Sequence, residues 1–135
     1  MIVLDTNVVI AITNRRPDRA RILFHEQLSR GTTIAVSTIA VFELRYGAAK
    51  SAKPAFNHRV LDEFLAGYLD VLEFSSADAV EAGNIRAALE VRGIPLGPYD
   101  TLIAAQALRH DATLVTANTR EFERVMGLRV VDWTA

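Results

Sequence analysis

The segment MIVLDTN carries the first reactive group of the chain. Ile2, Val3 and Leu4 read as a buried strand that stops on the carboxylate of Asp5, and no Lys or Arg precedes Arg15 to neutralise it. Glu43 poses the same problem in TIAVFELRYGAA, where its helical neighbours at i±3 and i±4 are Ile39, Ala40, Tyr46 and Gly47. None is basic, and Arg45, two residues on, points away from it on a helix. Asp100 closes the loop GIPLGPYD, and Asn118 follows the strand-like LVTA. Each has an ordinary alternative. Asp5 and Asp100 are N-cap candidates, Asn118 with Glu121 resembles a capping box, and a surface notch would excuse Glu43. Together they point elsewhere. Carboxylates that converge without basic partners repel one another unless a hard divalent cation balances them, and an oxygen-only set suits Mg²⁺, with Mn²⁺ able to substitute. Zn²⁺ would ordinarily recruit His or Cys; the chain has no Cys, and His25, His58 and His110 lie far apart. Acidic side chains around Mg²⁺ are the usual apparatus for activating water against a phosphodiester.

The elements that must position these groups alternate along the chain. Strand-like runs occupy 2–5, 33–37, 71–74, 113–116 and, more weakly, 129–131. Helical patterns fall at 7–13, 18–30, 38–50, 56–69, 76–92, 100–110 and 119–125. Near-continuous apolar strands separated by helices predict an α/β fold, with a central parallel sheet of four to five strands covered on both faces. Thr38 and Ser75 or Ser76 are candidate N-caps, while Arg109 and His110 fall in a last turn where cations are favoured. In open sheets of this kind ligands bind outside the carboxyl ends of the strands, where Asp5 and Asn118 fall.

Composition bounds the rest. At 135 residues the chain is expected to form one domain over 1–135, without repeats or linkers. The absence of Cys is compatible with a reducing cytoplasm. The N-terminus lacks the basic and apolar regions of a signal peptide, and no apolar run approaches the roughly 18–20 residues that span a bilayer. A net charge of −1 argues against a strongly basic nucleic-acid binder. Only Lys50 and Lys53 are lysines, so thirteen of the fifteen basic residues are Arg; a taste for phosphate or a coding bias toward Arg would each produce this.

MIVLDTN, STIAVFELRYG, GPYDTLIAAQA and LVTANTREFERVMGLRVVDW, in that order and over the whole chain, resemble a PIN domain. More closely they resemble VapC, the ribonuclease toxin of bacterial toxin–antitoxin pairs. The resemblance implies a three-layer α/β/α sandwich, with acidic site positions on Asp5, Glu43 and Asp100 and a fourth on Asn118. Many PIN domains have Asp at that fourth position, and an amide oxygen binds a cation more weakly than a carboxylate does. Thr6, Asn7 and Thr116 match positions near the metal and take supporting roles. A homodimer and a VapB-type antitoxin, whose C-terminal segment wraps the toxin, are implied as partners.

The reading that follows is a cytoplasmic, Mg²⁺-dependent endoribonuclease acting on tRNA or another structured RNA. Asp5, Glu43 and Asp100 hold the metal, and Arg45 and Arg120 are candidates for phosphate contacts, each with a solvated Arg as the alternative. Two other readings compete. A haloacid-dehalogenase-like phosphatase also presents an Asp at a strand end, but wants a second Asp where this chain has Asn7. A non-catalytic PIN-like binding module would explain Asn118, but leaves the acidic cluster without use.

Overall fold

The computed structural model describes all 135 residues. Five strands form one sheet: β1 (Ile2–Leu4), β2 (Ile34–Ser37), β3 (Asp70–Leu72), β4 (Thr113–Val115) and β5 (Arg129–Val131). Their order is β3-β2-β1-β4-β5 and every pairing is parallel. Successive strand residues face opposite sides of a sheet, yet Val3 and Leu4, then Ile34, Ala35 and Val36, are all buried. Both faces are therefore covered, as a parallel sheet requires.

Seven helices provide the cover: α1 (Thr6–Asn14), α2 (Asp18–Ser29), α3 (Thr38–Ala49), α4 (Pro54–Leu65), α5 (Ser76–Val91), α6 (Pro98–Arg109) and the single turn α7 (Thr119–Phe122). α1 packs on α2, α3 and α4, while α6 packs on α5 and α3. The expected α/β/α sandwich and its central parallel sheet are present, with every expected strand and helix. Two boundaries move visibly. The last helix stops at Phe122, three residues short of its expected end. The fourth helix runs from Pro54 to Leu65, four residues short of the expected end, because a turn containing Gly67 follows Ala66.

The topology fixes the site. From β1 the chain moves outward through β2 to β3, then returns to β4 on the other side of β1, so the strand order reverses between β1 and β4. Crevices at such reversals are where open α/β sheets bind ligands. The backbone ladder continues one step beyond each strand there: Asp5 donates its N–H to Val115 O (2.9 Å) and Thr116 donates to Val131 O (2.9 Å).

A buried polar knot sets the position of α6. Gln106 is fully buried, and its Nε2 donates to Leu72 O (3.2 Å), Glu73 O (3.1 Å) and Asp78 Oδ2 (3.3 Å). Asp78, also fully buried, forms a capping box with Ser75 at the start of α5 and an ion pair with Arg109. Burial alone would raise the Asp78 carboxyl, but the Arg109 guanidinium and the Ser75 bonds hold it below the ordinary value. The last turn of α6 is thereby tied to α5 and β3, leaving its first turn, with Asp100, over the sheet's carboxyl edge.

Candidate active site

Asp5 sits at the end of the central strand and is 4% exposed. Its Oδ1 accepts the Thr6 N–H (2.8 Å), so it caps α1. Its Oδ2 accepts the Thr116 hydroxyl (2.9 Å), and that hydroxyl oxygen accepts the Asn118 N–H (3.0 Å). One carboxylate thus caps α1 and ties its start to the end of β4. The Thr6 hydroxyl donates to Glu43 Oε1 (2.9 Å), which ties the first turn of α1 to α3. The two threonines hold Asp5 and Glu43 in place without neutralising either.

Asp100 is the group on which the others act. Its carboxyl is pushed up to about 6, first by burial and then by the negative charges of Asp5, Glu43 and Glu121. Burial likewise raises Asp5, against the opposing bonds from Thr116 and Thr6. The four ion pairs of the protein are Arg45–Asp62, Arg86–Glu90, Arg109–Asp78 and Arg129–Asp111. None includes Asp5, Glu43, Asp100 or Glu121. Asp100 with three further carboxylates in Coulombic reach of it, and without a cation, forms a donor set that fits Mg²⁺ or Mn²⁺. No three acidic or histidine side chains already stand in the arrangement of one ion's inner sphere. Three carboxylates could share one Mg²⁺ here only with water completing part of its shell.

Several expectations need revision. Asp100 does not cap α6; Gly97 occupies the N-cap, and Asp100 is the third helical residue. Asn118 is at the N-cap of α7, but its side chain makes no capping bond, so the box with Glu121 does not form. Asn118 is exposed beside Thr116, and its amide remains available as an oxygen donor. Ser37, not Thr38, caps α3 through the Ile39 N–H (3.0 Å), while the Thr38 hydroxyl accepts the Phe74 N–H (3.3 Å). Arg45 does turn away from Glu43, to Asp62 (2.6 Å) and His58 O (3.1 Å) on α4, and those contacts occupy its guanidinium. Asn7 and Arg120 are exposed, Asn7 on the first turn of α1 and Arg120 on α7. Glu121 is the acidic residue that sequence reasoning did not assign to the site. Its sequence carried no such signal as Glu43's, since Arg124 stands at i+3 and Asn118 offers a capping explanation.

Comparison with known proteins shows the family. The PIN-domain family matches residues 2–128. The tRNA(fMet)-specific endonuclease VapC of Salmonella typhimurium is 41% identical over 130 residues, 96% of each chain. The enzyme of the same name from Shigella flexneri is 42% identical over 131 residues, covering 97% of this chain and 96% of its own. Among solved structures, a chain of VapBC2 from Rickettsia felis, bound to a DNA fragment from its promoter, superposes with a TM-score of 0.90. It is 39% identical, with 98% of this chain and 99% of that one covered. The chain described here belongs to the PIN-domain family and, within it, to the VapC endoribonucleases.

Proposed function

We propose that residues 1–135 act as one PIN domain that cleaves tRNA in a Mg²⁺-dependent reaction, with Asp5, Glu43 and Asp100 holding the metal. The observation that carries this reading is the gathering of Asp5, Glu43 and Glu121 about Asp100 at the carboxyl end of β1, with no basic side chain paired to any of them. When bound, Mg²⁺ supplies a Lewis acid for the phosphate oxygens and lowers the pKa of a coordinated water. The chain's own residues prepare that site. Thr6 and Thr116 fix both oxygens of Asp5, so its orientation is set before any ligand arrives. Glu43 is held by Thr6 in the same way. Asn118 contributes an amide oxygen at the rim, and Asn7 and Thr116 support the site from α1 and β4. Arg120, exposed beside Asn118, is the remaining candidate for a phosphate contact, since Arg45 is committed to Asp62.

The substrate class follows from the relatives. Two proteins more than 40% identical to this chain carry the name tRNA(fMet)-specific endonuclease, and initiator tRNA is the substrate proposed here. Solved relatives from Salmonella typhimurium and Rickettsia felis are VapBC complexes, which supports a VapB-type antitoxin as partner. Homodimerisation and a cytoplasmic location, where tRNA is found, complete the proposal; no helix is long and apolar enough to cross a membrane.

The test is incubation of the purified protein with initiator tRNA and with bulk tRNA, in Mg²⁺ and in chelator, followed by sequencing of fragment 5′ ends. A single dominant end in initiator tRNA, lost in chelator, is expected. Cleavage that persists in chelator would refute the metal-dependent mechanism, and scattered ends across all tRNAs would refute the substrate assignment.

A further inference from the structure

Beside the carboxylates lies a cleft of about 400 Å³ that the metal chemistry does not use. Thr6 and Glu43 form the wall it shares with the site; Phe42, Tyr46, Tyr99 and Lys50 form the remainder, with Gly47 between them. Phe42 and Tyr46, at i and i+4, share one face of α3, and Lys50, its C-cap, continues the row at i+8. Tyr99 arrives from α6, immediately before Asp100. Phe42 and Tyr99 meet edge to face at 5.5 Å, and the Lys50 ammonium lies 4.6 Å from the centre of the Tyr46 ring. These aromatics are between 45% and 58% exposed, an uncommon concentration of apolar rings on the open surface.

From this geometry we infer that the cleft is a stacking subsite for one unpaired nucleobase of the RNA, next to the phosphate presented to the carboxylates. The inference rests on the nuclease reading above and extends it to how the substrate is held. Carboxylates repel the RNA backbone, and Arg45 is occupied by Asp62, so charge alone cannot secure the strand close to Glu43. Stacking works where charge does not, because every base has a π-face. Lys50 adds a cation at the outer end of the same face, suited to the phosphate of the neighbouring nucleotide. A protein contact at this cleft is the alternative that the experiment below separates. Gly47 keeps the slot open. A Cβ built there meets nothing within 4 Å, so a side chain at this helical position would enter the cleft without disturbing the core.

The probe is a short single-stranded ribonucleotide carrying 2-aminopurine, whose fluorescence is quenched on stacking, titrated into the full chain in chelator. Tyr46→Leu is expected to weaken binding about tenfold and to abolish the quench. Gly47→Leu is expected to do the same while melting at or above the wild-type temperature, since Leu is a far better helix former than Gly. An oligonucleotide abasic at the probe position should bind wild type as weakly as the intact one binds Tyr46→Leu. Unchanged affinity and quench in both variants would overturn the proposal. So would a change in oligomeric state, or in antitoxin binding, with RNA affinity unaltered, because the cleft would then be a protein contact. Cleavage in Mg²⁺ is run in parallel: a wild type that quenches the probe but cuts nothing would sink the nuclease reading alone, and one that cuts without quenching would sink the stacking subsite alone.

Discussion

Replacing Asp100 by Asn should stabilise the metal-free protein at neutral pH. The carboxyl is raised from an ordinary 3.8 to about 6, by burial first and by Asp5, Glu43 and Glu121 after it. At about 1.4 kcal/mol per pH unit, that rise opposes folding by about 3 kcal/mol once the group is ionised. Asp100 is only half-buried, and water screens part of the effect, so about 1.5 kcal/mol is the expected share. Asn also gives up a negative charge in the first turn of α6, worth about 0.5 kcal/mol there. The net gain is about 1 kcal/mol, or roughly 3–4 °C in melting temperature. Its pH dependence has a definite sign. A folded-state pKa above the unfolded one gives stability that is complete below about 3.8 and lost as pH rises through about 6. Urea unfolding of both proteins in chelator, from pH 4 to neutrality, measures this as the difference between two curves. Asp78 and Asp132, both lowered, act on both proteins alike and largely cancel. The difference should open between pH 4 and 6 and then stay constant. A variant less stable than wild type at neutral pH, with a flat difference, would refute the crowding of Asp100 by its neighbours.

Thr116→Val removes the hydroxyl that bonds Asp5 Oδ2, so the Asp5 carboxyl should rise further and the acidic limb of the cleavage pH profile should move upward. An unmoved limb would show that the bond does not tune Asp5. Asn118→Asp should tighten Mg²⁺ binding by adding a carboxylate at the rim, which titration calorimetry reads directly; equal or weaker affinity would remove Asn118 from the metal's surroundings. Asp78→Ala should destabilise the fold by about 2–4 kcal/mol, because it strips Gln106 and Arg109 of their buried partner. In wild type that contribution is present above the unfolded pKa and lost as pH falls through the lowered folded one, so the variant's deficit should shrink in acid.

Most of the fold was legible because its central strands are continuous apolar runs bounded by turn residues. IVL and TLV are buried on both faces, and no other element type accommodates them so briefly. Asp5 was legible for the same reason, since it follows directly from where β1 stops; Thr116 entered only through the family resemblance. Glu121 was not, since a Glu three residues after Asn118 has an ordinary capping explanation. α7 is a single turn whose cap does not form, and only the fold shows that its carboxylate acts on Asp100. Arg45 was ambiguous because its partner Asp62 lies seventeen residues away on another helix, beyond the reach of any local pattern. The aromatic cleft was equally hidden. Tyr99 and Phe42 belong to helices far apart in sequence, and only the packing of α3 on α6 brings them together.

The central claim, that this cluster of carboxylates works as a metal-dependent nuclease site, is tested most directly by Asp5→Asn. Asn keeps the shape and an oxygen that can accept the Thr6 N–H, so far-UV dichroism and melting in chelator should stay close to wild type or improve. Single-turnover cleavage of initiator tRNA across a Mg²⁺ titration should then be compared for the two proteins. The variant should lose more than the roughly 100-fold that removal of an outer-shell partner costs, and higher Mg²⁺ should not restore it fully. Cleavage by Asp5→Asn at the wild-type rate, with the same Mg²⁺ dependence, would contradict the claim.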